Sequence, residues 1–217
     1  MHASRLLTIG AVLLLGLVCS AQEFPKFEAG IDYTYARYAP SSPYSKGHSL
    51  NGGGGSFMFN VNDALGLKID LQGYGSNLTT FNIAPNPTFP RGALGSVQGN
   101  LFTYMFGPEV KYRPRGLNPY VHILFGAAHS NVYGKAFRSI CQPVAGVCSF
   151  SKEPSGDAFA MAVGGGIDIP INKTISFRPG ELDYFLTRFE NPFTGSNNQN
   201  NFRYSAGIVF TFGEGHY

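Results

Sequence analysis

Apolar and polar residues alternate along this chain with a period of two, in one segment after another, and no other feature restricts its fold so tightly. Phe27, Ala29, Ile31, Tyr33 and Tyr35 alternate with Glu28, Gly30, Asp32 and Thr34. Leu65, Leu67, Ile69 and Leu71 alternate with Gly66, Lys68, Asp70 and Gln72. Phe102, Tyr104, Phe106, Val110 and Tyr112 oppose Thr103, Gly107, Glu109 and Lys111, and Val121, Ile123, Phe125 and Ala127 oppose Tyr120, His122 and Gly126. Phe159, Met161, Val163, Ile167 and Ile169 oppose Ala160, Ala162, Gly164, Gly166 and Asp168. Phe202, Tyr204, Ala206, Ile208, Phe210 and Phe212 oppose Arg203, Ser205, Gly207 and Thr211. Each segment reads as a strand with two unlike faces.

Two further segments complete the set. Ser49 to Val61 carries four glycines, Gly52 to Gly55, then Phe57, Phe59 and Val61 on one face. Thr174 to Arg188 changes phase at Pro179-Gly180, after which Leu182, Tyr184 and Leu186 share a face. Proline and glycine inside a strand mark a bulge, which shifts the alternation by one residue. The count is about eight strands, each near or above the ~9–11 residues a tilted strand needs to cross a bilayer. Their connections alternate in length. Tyr38 to His48, Ser76 to Ser96, Asn131 to Asp157 and Phe189 to Asn201 are long and polar. Asn60 to Ala64, Pro114 to Pro119 and Pro170 to Lys173 are short.

The first 21 residues read as a signal peptide, with Arg5 in the positive region, an apolar stretch from Leu6 to Val18, and cleavage after Ala21. The apolar stretch is too short to span a bilayer as a helix, which takes ~20 residues. Residues 22–217 are then the mature domain. Cleavage there also removes Cys19 and leaves Cys141 and Cys148, which an oxidising envelope is expected to join in a disulfide. No further His or Cys flanks the pair, so a metal site is not expected. The formal charge of +3 falls to +2 without Arg5, too little to suggest a nucleic-acid partner.

Charged residues make up only 13% of the chain, about half the usual soluble share, while there are 19 Phe, 12 Tyr and 28 Gly. This suits a surface that largely avoids water. In a bilayer every backbone N–H and C=O must be paired, so a sheet survives there only when closed on itself. A soluble lipocalin-like barrel would show the same alternation with the faces exchanged. The long loops at one end, the low charge and the last segment favour the membrane, where short turns face the periplasm and long loops face outside. Tyr33, Tyr35, Tyr112, Tyr120, Tyr184 and Tyr204 near strand ends are expected to form interfacial girdles.

The last segment runs Ser205-Ala206-Gly207-Ile208-Val209-Phe210-Thr211-Phe212. Its polar residue, its Gly207 and the aromatics Phe210 and Phe212 look like the assembly signal read by the barrel-assembly machinery. With this segment, Phe106-Gly107-Pro108-Glu109, His122 to Ala127 and Gly164 to Asp168, the chain from about Phe24 to Phe212 resembles the small OmpA-type outer-membrane β-barrel family. The resemblance implies a closed eight-stranded antiparallel up-and-down transmembrane β-barrel in the outer membrane of a Gram-negative-type bacterium. It implies contact with outer-membrane lipid and lipopolysaccharide, passage through the assembly machinery, and a monomer. The peptidoglycan-binding domain that many members add has no counterpart in this sequence.

The face opposite the apolar one carries Glu28, Asp32, Lys68, Asp70, Glu109, Lys111, His122, Asp168, Arg178, Asp183 and Arg203. Two readings of these groups stand. They pair across a narrow lumen as a polar plug, or they line an ion pathway. Buried charges need partners, and open aqueous channels belong to wider barrels. A third reading, a lipid A-modifying enzyme, would use His129 and Ser130. Adjacent residues on a strand point to opposite faces, so these two do not meet, and no catalytic residue is assigned. Gly52 to Gly55 lacks the Lys-Ser/Thr of a phosphate loop, and no cofactor motif is present. The expected role is non-enzymatic, in envelope structure or in surface contact through the long loops, with an extracellular ligand as their possible partner.

Overall fold

The computed structural model describes residues 24–38, 48–76, 79–83, 85, 92–97, 99–131, 156–189 and 198–215. The signal segment and the Cys141–Cys148 pair lie outside the described residues. Ten strands follow one another: β1 (Phe24–Tyr38), β2 (His48–Asn60), β3 (Leu65–Ser76), β4 (Thr79–Ile83), β5 (Ala93–Val97), β6 (Asn100–Lys111), β7 (Asn118–Ser130), β8 (Asp157–Pro170), β9 (Ile175–Thr187) and β10 (Gln199–Gly215). Eight of them close an antiparallel barrel in the order β1-β10-β9-β8-β7-β6-β3-β2. Apart from β3 and β6, which flank the hairpin, and the closing pair β1 and β10, neighbours in the wall are neighbours in the chain. The barrel is therefore up-and-down.

The eight barrel strands run from 12 to 17 residues. All exceed the ~9–11 residues needed to cross a bilayer at a tilt. β4 and β5 form a separate two-stranded hairpin within the second long connection. The Asn, Pro and Thr content of Ser76 to Ser96 gives no strand signal, so the hairpin is a correction to the expected plain loop.

The two faces differ as the alternation requires. Ile31, Leu67, Phe106, Val121 and Leu182 stand on the outside, and Ile31 is 67% and Phe106 66% exposed. In water such a coat would be a severe liability, since exposed apolar patches on soluble monomers are far smaller. Facing acyl chains it costs nothing. Tyr33 bonds Asn51 at 2.7 Å and Tyr184 bonds Asn200 at 2.7 Å, both on the outer face at the long-loop end. These pairs mark where the apolar band stops. Tyr112 stands 70% exposed at the short-turn end. Tyr120 is a correction: it points into the barrel and is buried.

Closure rests on the β1–β10 seam, which pairs from Phe24↔Gly215 to Arg37↔Phe202. The chains come so close there that a Cβ on Gly207 would lie 2.1 Å from the Ile31 carbonyl oxygen. Only glycine fits. On the outer face of the seam, Phe27 stacks on Phe57 of β2 and on Phe212 of β10, with ring centroids 5.8 Å apart in each pair. In β9, Arg178 pairs with Gly207 and Glu181 with Ser205, so β9 spends one extra residue at Pro179-Gly180. That is the bulge the proline and glycine announce. Tyr204 closes it by donating its hydroxyl to the Pro179 carbonyl at 2.6 Å.

Candidate functional site

The lumen has two layers, and only one of them is charged. The half toward the long loops is filled by Ala36, Leu50, Leu101, Met105, Leu124, Ala128, Ala160, Ala162 and Phe185, with the neutral polar Thr103, Thr187, Gln199 and Asn201 among them, all buried. Ala160 and Ala162 take the inward face that the alternation gives them, while the grouping of the apolar side chains at one end was not expected. Alternation tells which face a residue takes, not its height along the axis, and this apolar layer is set by height.

The half toward the short turns carries the charges. Glu28 on β1, Lys68 and Asp70 on β3, Glu109 and Lys111 on β6, His122 on β7, Asp168 on β8, Arg178 and Asp183 on β9 and Arg203 on β10 are all buried in the lumen, with Arg203 beside Ala36 and Asp70 beside Met105 where the two layers meet. Asp32 on β1 is half-buried. β2 joins through Asn60, which donates to Glu28 at 3.0 Å. All eight strands of the wall thus reach one network.

Many of its bonds cross the barrel instead of running between neighbouring strands. Arg203 donates to Asp183 at 2.6 Å on the adjacent β9 and to Asp70 at 2.7 Å on β3, three strands away around the wall. Lys68 on β3 reaches Glu181 on β9 at 2.7 Å, from the opposite side. Lys111 on β6 meets Glu28 of β1 at 2.5 Å and Asp168 of β8 at 3.0 Å. Arg178 grips Asp168 with two donors, at 2.7 and 3.1 Å, the bidentate geometry that suits guanidinium to carboxylate. Glu109 sits between two ammonium groups, 3.3 Å from Lys68 and 3.3 Å from Lys111. His122 Nε2 lies 2.8 Å from Asp183.

Tyr120 is the hub of this layer. Its hydroxyl donates to Glu181 at 2.7 Å. Its ring centroid lies 4.6 Å from the Arg178 guanidinium, 5.2 Å from Lys111 and 5.3 Å from Lys68. An aromatic face stabilises cations electrostatically without adding a negative charge. Asp32 differs from the rest. It accepts from Gln72 at 2.8 Å and lies 2.9 Å from the Thr34 hydroxyl, so it is solvated by neutral groups. At the rim, Arg113 donates to Glu28 at 2.5 Å, to Asn60 at 2.9 Å and to the Asp63 carbonyl.

Glu181, Tyr120, Gln72 and Arg113 were not among the residues expected at this site. Glu181 carried a usable signal, because it lies two residues before Asp183 and beyond the bulge, on the same face. Tyr120 also sits in the inward phase, opposite Val121. Arg113 lies past the end of β6, where periodicity says nothing. His122, Glu181 and Asp183 bring ligand atoms within 4.8 Å of one another, a metal-like grouping. Yet Lys68, Arg178 and Arg203 already hold both carboxylates, and a divalent ion would have to displace them. His129 and Ser130 take opposite faces. His129 pairs on the outside with Asp157 at 2.8 Å, while Ser130 is buried inside.

The arrangement is that of a barrel with a lipid-facing apolar coat and a filled interior. Comparison with known proteins agrees with the fold. The chain is similar to the crystal structure of Neisserial surface protein A, with a TM-score of 0.55 and 14% identity over 88% of this chain and 99% of that one. It is also similar to the outer membrane protein OprG from Pseudomonas aeruginosa, with a TM-score of 0.54 and 12% identity over 89% of this chain and 99% of that one. No curated protein sequence matches the chain. The profile of the outer membrane protein beta-barrel domain matches residues 9–213. With that match spanning nearly the whole chain, and with all of the barrel inside it but the last two residues of β10, the protein belongs to the outer membrane protein beta-barrel domain family.

Proposed function

We propose that the protein is a closed, non-conducting and non-enzymatic outer-membrane barrel, which holds long loops at the cell surface for envelope structure or surface contact. One observation carries this reading: the lumen is blocked across its width, by a paired charge layer below and an uncharged, largely apolar layer above. An ion entering from the short-turn end would have to displace Arg203 or Lys68 from their carboxylates. It would then have to pass Leu124, Met105 and Phe185 without water. Four long connections share one end, and the second of them carries the β4–β5 hairpin. Loops on a rigid scaffold are where recognition is usually placed.

Residues 1–21 serve as the cleaved export signal, and Gly207, Phe210 and Phe212 as the assembly signal. The apolar coat meets outer-membrane lipid, including lipopolysaccharide at the long-loop end, and the chain works as a monomer. Cys141 and Cys148 close the third long loop. The test is conductance. Purified, folded protein in planar bilayers should leave the current at baseline. Reproducible, ion-selective steps would replace the closed reading with a narrow pore. A changed lipid A mass on expression would replace it with an enzyme.

A further inference from the structure

Two cavities lie in the charged half of the lumen. The larger, about 210 Å³, sits at the short-turn mouth between Pro25, Lys111, Arg113, Asn118 and Ser176. The smaller, about 10 Å³, is deeper, against Ser56, Met58, Lys68 and Glu109. Glu28 lines both. The mouth cavity has room for several waters, and its rim residues Asn172 and Lys173 are exposed. The deep cavity is near the ~10–15 Å³ needed for a single water.

Glu109 is 1% exposed, and neither of its carboxylate oxygens accepts a hydrogen bond. Its ammonium neighbours stand at 3.3 Å without hydrogen-bond alignment. A buried carboxylate in that condition is costly, and a water with two O–H donors relieves it. Ser56 and Lys68 supply further polar contacts for such a water. Beyond the deep cavity the apolar layer closes the lumen.

We infer that the charged half of the lumen is a blind aqueous vestibule, open at the periplasmic mouth alone, whose innermost cavity binds one water molecule on the Glu109 carboxylate. This rests on the closed-barrel reading and adds a sidedness to it. Water exchanges with the charge network from the periplasm and stops below Leu124 and Phe185. The network is thereby solvated from one side of the membrane and insulated from the other.

The experiment uses three single variants of the full chain, folded in detergent micelles. Ser176→Cys lies on the mouth cavity, Ser56→Cys on the deep one, and Ala162→Cys in the apolar layer. Serine to cysteine is nearly isosteric, and the gel shift of folded against boiled protein selects molecules that have closed. Each is treated with silver ion, a thiol-reactive cation about the size of a water molecule, and modification is counted above that of the unsubstituted protein. Ser176→Cys and Ser56→Cys should react about tenfold or more faster than Ala162→Cys, which waits on local opening. Equal, slow reaction at Ser56→Cys and Ala162→Cys, with no conductance, would overturn the vestibule and leave the closed barrel standing. Fast reaction at Ala162→Cys together with conductance would remove both.

Discussion

Replacing Arg203 by methionine tests the charge layer where it is most tightly tied. Arg203 is fully buried and supplies donors to Asp183 at 2.6 Å, to Asp70 at 2.7 Å and to Glu181 at 3.4 Å. Methionine keeps much of the volume and removes the charge. Glu181 retains Lys68, Tyr120 and Arg178, so it loses little. Asp183 retains His122 at 2.8 Å. Asp70 is left with Gln72 alone, at 3.4 Å. One carboxylate thus loses every cation and a second loses its better partner. Removing one member of a buried pair costs ~3–5 kcal/mol, because the other charge stays behind unpaired. Arg203→Met should therefore destabilise the barrel by about 4 kcal/mol. Urea unfolding of protein reconstituted in lipid vesicles, followed by tyrosine fluorescence, reads this directly. Adding Asp70→Asn and Asp183→Asn removes the stranded charges and should return more than about half of the loss. A loss below about 1 kcal/mol for Arg203→Met, the value of an exposed pair, would refute the claim that Arg203 and its carboxylate partners form a buried unit.

Further expectations concern the outer face and the seam. Phe106→Arg, midway along the outer face of β6, should cost about 2–4 kcal/mol in vesicles, and Tyr112→Arg at the band's edge about 0–1. Equal costs would mean that the apolar coat does not lie across the hydrocarbon core. Gly207→Val places side-chain atoms where the Ile31 carbonyl stands, 2.1 Å from the Cβ position, so the first and last strands cannot pair. Unboiled Gly207→Val should then migrate as boiled protein does on a gel, whereas the natural chain shifts. A retained shift would show that the seam tolerates a side chain.

Much of the fold is legible in the residues because the two faces of each strand meet different solvents. Leu67 and Ile69 face lipid while Lys68 faces an ammonium-binding interior, and the period of two follows directly. The bulge was readable too, because Pro179 and Gly180 have few other uses inside a strand. What alternation does not encode is position along the axis. Leu124 and His122 share a phase, yet one caps the lumen and the other belongs to the charge network. Which carboxylate pairs with which cation was also hidden. Arg203 and Asp70 are 133 residues apart and become partners only through the stagger of a closed barrel. The β4–β5 hairpin escaped notice for a different reason, because its strands have only five residues each and lie in a long polar segment interrupted by proline.

The charged layer is a layer only after β10 has met β1. Before that moment Glu28, Lys68, Asp70, Glu109, Lys111 and Arg203 are separate polar side chains, each set between two apolar neighbours. They keep the apolar runs of the mature chain short, with Ala158 to Val163 among the longest. A translocation channel therefore meets no segment apolar enough to hold as a helix in the inner membrane. The same spacing leaves the unfolded chain hydrated while it crosses the periplasm. The groups that lock the finished wall thus act earlier as the reason the polypeptide can be delivered to the membrane where the wall is built.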